Sequence, residues 1–323
     1  MQDLVTVFGG SGFIGTQVVR QLAKQGLRVR VAVRQPHIAY DMRLMGDVGQ
    51  VEVVQANVRN EASVRRALEG ARAAINLVGI LYETGRQKFE AVHVDAARMV
   101  AAAARDLGVG RLVHMSALGA DANSRSKYAR SKAAGEAAVR EAFPEAVIVR
   151  PSVVFGPGDD FFNKFAEMAV FSPVLPLVGG GNTRFQPVYV TDLARALART
   201  VVDPDCAGRT YELGGPTTMT FRQVLELVME QTERRRLLLP LPFPVAGLIG
   251  TLCAPIALFT PVKPPLTADQ VELLKTDNVT EAGAAGLVEL GVTPTPVEAI
   301  TPTYLYRFRR GGQFADMMGQ PVG

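Results

Sequence analysis

A chain of 323 residues that is 48% hydrophobic and 20% charged has enough apolar material for one large or two modest domains around a buried core. Its 35 basic and 31 acidic residues leave a net charge of only +4, too mild and dispersed for a nucleic-acid surface. Two distant cysteines, Cys206 and Cys253, and only three histidines argue against a disulfide framework or a metal centre, so both thiols are expected to be reduced.

The first strand signal, Val5-Thr6-Val7-Phe8, starts a few residues after Met1. That spacing leaves no room for a signal or transit peptide, so a cytoplasmic protein or a processed organellar one is expected. The run breaks at Gly9-Gly10, and a helical pattern (Ile14, Val18, Val19, Leu22) follows. Gly9, Gly12 and Gly15 between them have the spacing of a dinucleotide-binding turn. The first glycine makes the turn, the second admits a pyrophosphate, and the third lets the helix lie on the strand. The backbone of Gly10, Ser11, Phe13 and Ile14 completes the cradle, and the helix start receives the phosphate charge.

Further strands are predicted over Arg28–Val33, Gln50–Gln55, Ala73–Val78 and Arg111–Met115, with a sixth over Ala146–Arg150. Helices over Ala62–Leu68, Phe89–Leu107 and Tyr128–Phe143 separate them. This βα alternation predicts an α/β fold, a doubly wound parallel sheet with a Rossmann core. The second half is less regular. It offers a Gly/Pro-rich excursion from Gly156 to Pro187 with a short helix (Phe161–Phe171), a strand at Val188–Val190, and a helix Leu193–Val202 capped by Thr191-Asp192. A strand at Thr210–Leu213 and a helix capped by Thr220 follow. The expected division is a nucleotide-binding core over 1–154, rejoined by 188–214, and a smaller, mostly helical lobe from 155–187 and 215–323.

Leu237–Val262 carries no charge. Prolines 240, 242, 244, 255 and 261 interrupt it, and its longest proline-free run, Val245–Ala254, is about half of the ~20 residues that cross a bilayer. It is read as a packed apolar lobe, with a surface lying on a membrane or partner as the alternative.

The second strand ends in Arg34, and the first acidic residue after it is Asp41. An acid at that strand end would bind the ribose 2′-hydroxyl of NAD; an arginine suits the 2′-phosphate of NADP. Asn57 and Val58, and Leu77, Val78 and Gly79, lie at the ends of the third and fourth strands, where open parallel sheets bind ligands. Tyr128 and Lys132 share one helix face. The ammonium is expected to lower the phenol pKa, with Ser116 placed to orient a carbonyl. Pro151 and Val153, after the sixth strand, complete the candidate cofactor set. His93 and His114 lack partner ligands and are read as structural; Asp159-Asp160 is read as a helix cap, so no metal is expected. The arginine clusters 234–236 and 307, 309, 310 are read as solvated, with an acidic partner or anionic lipid as the alternative.

The segments GGSGFIG from Gly9 and YARSK from Tyr128, with Ser116, resemble the extended short-chain dehydrogenase/reductase superfamily. SKYARSKAAGE from Ser126, FPEAVIVRPSVVFGPGD from Phe143 and QPVYVTDLARAL from Gln186 resemble an atypical branch of it. That branch contains the NADPH-binding accessory subunit of respiratory complex I (NADH:ubiquinone oxidoreductase) and bacterial relatives. The resemblance implies bound NADPH without evident turnover and a position beside the quinone site, where the two arms of the complex meet. It also implies a C-terminal lobe that meets other subunits and the membrane, on the cytoplasmic side of a bacterial inner membrane. Ser116, Tyr128 and Lys132 leave an NADPH-dependent reductase of ubiquinone biosynthesis as the alternative; a sugar-nucleotide epimerase fits less well.

Overall fold

The computed structural model describes residues 3–259 and 266–312, with the side chains of 254–259 left aside. The chain alternates strand and helix as β1 (Leu4–Phe8), α1 (Phe13–Lys24), β2 (Arg28–Val33), β3 (Val51–Gln55), α2 (Glu61–Leu68) and β4 (Ala73–Asn76). A π-helical turn, Glu90–Asp95, leads into α3 (Ala96–Asp106), followed by β5 (Arg111–Met115), α4 (Lys127–Ala142) and β6 (Val147–Pro151). Next come β7 (Val154–Phe155), α5 (Phe162–Phe171), β8 (Val174–Val178), β9 (Arg184–Phe185), β10 (Val188–Tyr189), α6 (Val190–Val202) and β11 (Thr210–Leu213). The remainder holds β12 (Met219–Thr220), α7 (Phe221–Gln231), β13 (Leu237–Leu241), α8 (Phe243–Phe259), α9 (Ala268–Leu273), α10 (Val297–Ile300) and α11 (Pro302–Leu305).

Seven parallel strands form the main sheet in the order β11-β6-β5-β4-β1-β2-β3. Chain order reverses direction between β1 and β4, which opens a crevice at the carboxyl ends of the strands. Apolar side chains fill both faces. On one, α1 and α6 (Val18, Leu22, Leu193, Leu197) pack against Val7, Val31 and Ile75. On the other, α2, α3 and α4 (Val64, Leu68, Val100, Ala104, Val139) cover Phe8, Leu112 and Ile148. Strands buried on two faces read as continuous apolar runs, so β1 lost its alternation while β2, nearer the edge, kept it. Even Thr6 is buried, with Oγ1 donating to the Ala67 carbonyl at 2.8 Å.

The second lobe is built around β8, which pairs in parallel with β13, and a cluster of rings including Phe161, Phe165, Phe185 and Phe221. Thr220 caps α7 in a reciprocal capping box with Gln223. Asp159 accepts from the Phe161 and Asn163 amides at the start of α5, in the capping role expected for it. Tyr304 Oη, from α11, donates to the same carboxylate at 2.7 Å, and burial holds this acid above its usual range.

Three expectations change. α6 begins at Val190, so Asp192 sits inside the helix and caps nothing; it is buried and accepts from the Thr295 amide at 2.7 Å. The prolines do not break the apolar stretch into short pieces: α8 runs 17 residues through Pro244 and Pro255, with Pro244 in the first turn where a missing N–H costs little. It spans only about 26 Å, and among the described residues no helix is long and apolar enough to cross a membrane. Residues 260–262 of that stretch lie outside the described residues. The arginines are not merely solvated: Arg234 Nε donates to the Phe308 carbonyl and Arg309 Nε to Gln231, stitching the C-terminal segment to the end of α7, while Arg236 Nε donates to Ala169 in α5.

The tail also returns to the main sheet. Asn278 pairs with Phe185 and accepts from Ser152 Oγ and the Val153 amide. Leu287, Leu290 and Val292 enter the core beside α1 and α6.

Candidate functional site

The turn after β1 makes one end of the site. Gly9 has φ +78°, a left-handed conformation that a side chain would strain. A Cβ on Gly15 would lie 2.4 Å from the Gly9 carbonyl oxygen, so only glycine lets α1 start this close to the strand. A cleft of about 320 Å³ runs from this turn across the ends of β2, β3 and β4. Of the sequence candidates, Gly9, Ser11, Gly12, Arg34, Asn57, Val58, Leu77, Val78 and Gly79 line it; Gly10, Phe13, Ile14 and Gly15 form the turn behind.

No carboxylate lines the cleft, while two arginines do. Arg34 is exposed at the end of β2. Arg59, which the sequence reading passed over, reaches the same wall with Nη1 bonded to the Arg86 carbonyl. Its signal was present: Asn57 Oδ1 accepts from the Arg59 amide in an Asx turn at the end of β3. An open, uncompensated cationic wall beside a glycine turn suits a phosphorylated adenosine.

Ser116, Tyr128 and Lys132 do not line this cleft; they form a cluster of side chains beyond its Gly79 wall. Lys132 is buried, and Nζ donates to the Met115 carbonyl at 3.1 Å, next to Ser116. Ser116 Oγ is the one buried side-chain polar atom without a hydrogen-bond partner among the described residues. Tyr128 sits half-buried against the rings of Phe89 and His93. The expected depression of its pKa is not found: burial pushes the phenol up to about 12. The Lys132 ammonium lies 6.0 Å from the ring centroid and is itself lowered to about 8 by burial. In the chain alone, desolvation outweighs the lysine field.

His93 joins the two ends. Its Nε2 accepts from the Ile80 amide at 3.0 Å, and Nδ1 lies 2.8 Å from Ser131 Oγ, which donates to the Tyr128 carbonyl. Accepting at Nε2 places the proton of the neutral ring on Nδ1. A methyl group added at Gly79 would sit 3.6 Å from both His93 Nε2 and Lys132 Nζ, so the cleft leads directly to this cluster. The π turn that carries His93 lies against α4, where a Cβ at Gly135 would strike the His93 carbonyl oxygen. Burial and the Lys132 charge lower His93 to about 3, and burial does the same for His114, whose Nδ1 pairs with Asn76 Nδ2. Both histidines are thus bonded within the chain. Pro151 and Val153 do not line the cleft: the Pro151 carbonyl accepts from Leu118, and the Val153 amide is taken by Asn278.

The glycine turn, the cationic wall and the orphaned Ser116 hydroxyl all fit a nicotinamide dinucleotide lying across the crevice. The profile of the NAD dependent epimerase/dehydratase family matches residues 5–214. Over 310 residues the chain is 39% identical to the mouse mitochondrial NADH dehydrogenase (ubiquinone) 1 alpha subcomplex subunit 9, covering 95% of this chain and 80% of the mouse protein. Over 196 residues it is 38% identical to a ceramide reductase of Caulobacter vibrioides, covering 61% and 60% of the two chains. Among solved structures, the NADPH-dependent quinone oxidoreductase of Escherichia coli, complexed with NADPH, superposes with a TM-score of 0.72 over 93% of this chain and 98% of its own. At 20% identity that likeness shows the fold alone.

Proposed function

The chain belongs to the NAD dependent epimerase/dehydratase family, the extended short-chain dehydrogenases/reductases, and we propose that it is the NADPH-binding accessory subunit of a bacterial respiratory complex I. One observation carries this reading. The identity to the mouse complex I subunit runs over 95% of the chain, through the lobe beyond residue 214 where the family profile ends, whereas the reductase match covers 61%. A lobe kept along its whole length suits a protein whose surface is held by neighbours.

The Gly9–Gly15 turn would hold the pyrophosphate, Arg34 and Arg59 the 2′-phosphate, and Tyr128 with Lys132 the nicotinamide half. Bound NADPH would stabilise the folded subunit by mass action. The subunit would sit near the quinone site, peripheral to the cytoplasmic face of the inner membrane. Its lobe would turn outward the apolar side of α8, where Leu248 and Leu252 are 61% and 70% exposed.

The orphaned Ser116 hydroxyl favours a second reading, an NADPH-dependent reductase acting on a quinone-pathway or lipid carbonyl. Bound NADPH would supply the hydride; Ser116 and Tyr128 would hold the carbonyl oxygen, with Tyr128 giving it a proton. Affinity purification of the tagged protein from its native membranes in mild detergent separates the two. Recovery of other complex I subunits with stoichiometric NADPH supports the first reading. Isolated protein that exchanges NADPH freely, and loses a product on Tyr128→Phe, overturns it in favour of the second.

A further inference from the structure

The first turn of α4 carries Tyr128, and its backbone donors are satisfied from two places. Ser126 Oγ accepts from the Ala129 amide at 3.2 Å, an ordinary N-cap. The Lys127 and Tyr128 amides are satisfied from the other lobe: the Asp269 carboxylate accepts from them at 2.6 and 3.1 Å, and from Ser126 Oγ at 2.9 Å. Asp269 thus caps from more than 140 residues away, as the sequence separation of 143 from Ser126 shows. Its negative charge sits at the positive end of a 16-residue helix, where it is stabilising.

Asp269 is itself fixed to the apolar lobe. It lies in α9, whose start is held by a capping box between Thr267 and Gln270. That start presses on α8, where a Cβ at Gly250 would lie 2.6 Å from the Ala268 amide nitrogen. On either side of Gly250, Leu248, Ile249 and Leu252 are exposed. A displacement of α8 therefore reaches α9 directly, and α9 holds the helix end that bears Tyr128.

We propose that Asp269 is a positioning residue for Tyr128, and that through it the nicotinamide end of the cofactor site and the exposed apolar face of α8 are thermodynamically linked. The inference rests on the placement of the nicotinamide half at Tyr128 proposed above. Linkage is reciprocal: a partner on α8 that tightens the α9–α4 contact raises NADPH affinity, and NADPH steadies the α8–α9 unit by the same factor.

Two ligands distinguish positioning from general damage. NADPH spans both ends of the site, while adenosine 2′,5′-bisphosphate reaches only the adenine end. In Asp269→Ala, NADPH is expected to bind roughly five- to thirtyfold more weakly, with adenosine 2′,5′-bisphosphate unchanged. Asp269→Asn keeps one acceptor oxygen and should fall between wild type and alanine. Equal weakening of both ligands, or unchanged NADPH affinity, overturns the proposal. Hydrogen exchange on the wild-type protein provides a test that does not depend on a variant's folding. NADPH should slow the amides of 267–273 as well as those of 127–129, and no slowing at 267–273 overturns the linkage. A wild-type protein that binds no NADPH would remove the cofactor reading itself; one that binds it indifferently to Asp269 removes only this inference.

Discussion

The two ends of the site are built in different ways. The end at the glycine turn, where the adenine half is proposed to lie, is made of backbone and open charge: the turn itself, strand ends, and Arg34 and Arg59, with no acid among the described residues that line it. The region beyond Gly79, where the nicotinamide half is proposed to lie, is made of side chains already bonded within the chain: buried Lys132 to the Met115 carbonyl, buried His93 to Ile80 and Ser131, and half-buried Asp269 to the start of α4. The first end owes its shape to backbone, whereas the second is fixed by side-chain bonds around Ser116 Oγ and the Tyr128 phenol. An arrangement that grips one half of a cofactor electrostatically and meets the other with a rigid wall suits retention as well as it suits turnover.

The contrast is broken most severely beneath the nicotinamide end. Arg150 reaches Glu136 on α4 through two bonds of 2.9 and 2.7 Å and lies 3.4 Å from Glu212. Arg150→Ala leaves both carboxylates buried without their cation, and a stability loss of about 3 kcal/mol or more is expected as a lowered urea midpoint. Arg34→Asp attacks the open end instead. Losing a charged hydrogen bond to phosphate should weaken NADPH roughly 10- to 150-fold. NADH should be affected far less, and titration by fluorescence would compare the two. Equal losses would remove the case for a 2′-phosphate site.

Protonation sharpens the difference further. In the fold burial holds His93 and His114 down at about 3, against an ordinary imidazole value of 6.5. Above 6.5 they are neutral in both states and contribute no pH dependence. As pH falls below that value the unfolded chain takes up protons that the fold refuses, so stability declines, approaching ~1.4 kcal/mol per pH unit for each imidazole. Denaturation midpoints measured from pH 7 down to 4 should show this slope, and His114→Asn should lessen it. The smallest effect belongs to Tyr128→Phe. It would remove the one hydrogen bond proposed between the phenol and the cofactor, worth about 1 kcal/mol, so NADPH affinity should fall only severalfold. A much larger loss would mean that the phenol grips the cofactor more tightly than a neutral donor can.

The same contrast explains what was legible in the sequence. The glycine spacing, the strand runs and the missing acid after Val33 are local signals, and each reappears in place as the turn, the sheet and the cationic wall. Asp269 is not local: its partners are 141 to 143 residues away, and the helix that carries it is only six residues long. Asp192 misled for a related reason. A threonine–aspartate pair before an apolar run is a sound cap signal, but Thr295, 103 residues on, took the carboxylate inside the helix. The Tyr128–Lys132 spacing correctly placed two groups on one face. It could not convey that burial would keep the phenol protonated while the ammonium turned to a backbone carbonyl.

The return of the tail over the main sheet has a consequence for how the protein is made. Asp192 and Asp159, both buried, receive their bonds from Thr295 and Tyr304, and Asn278 closes the end of β6. During synthesis those partners emerge roughly 5 to 20 s after β11. Until then Asp159 and Asp192 keep local partners, among them the Phe161 and Asn163 amides and Arg195, and the face beside α1 and α6 lacks Leu287, Leu290 and Val292. The segment that completes the core leaves the ribosome after every strand of the main sheet, so a chain stalled before it would present chaperones and proteases with a sheet that lacks part of its cover.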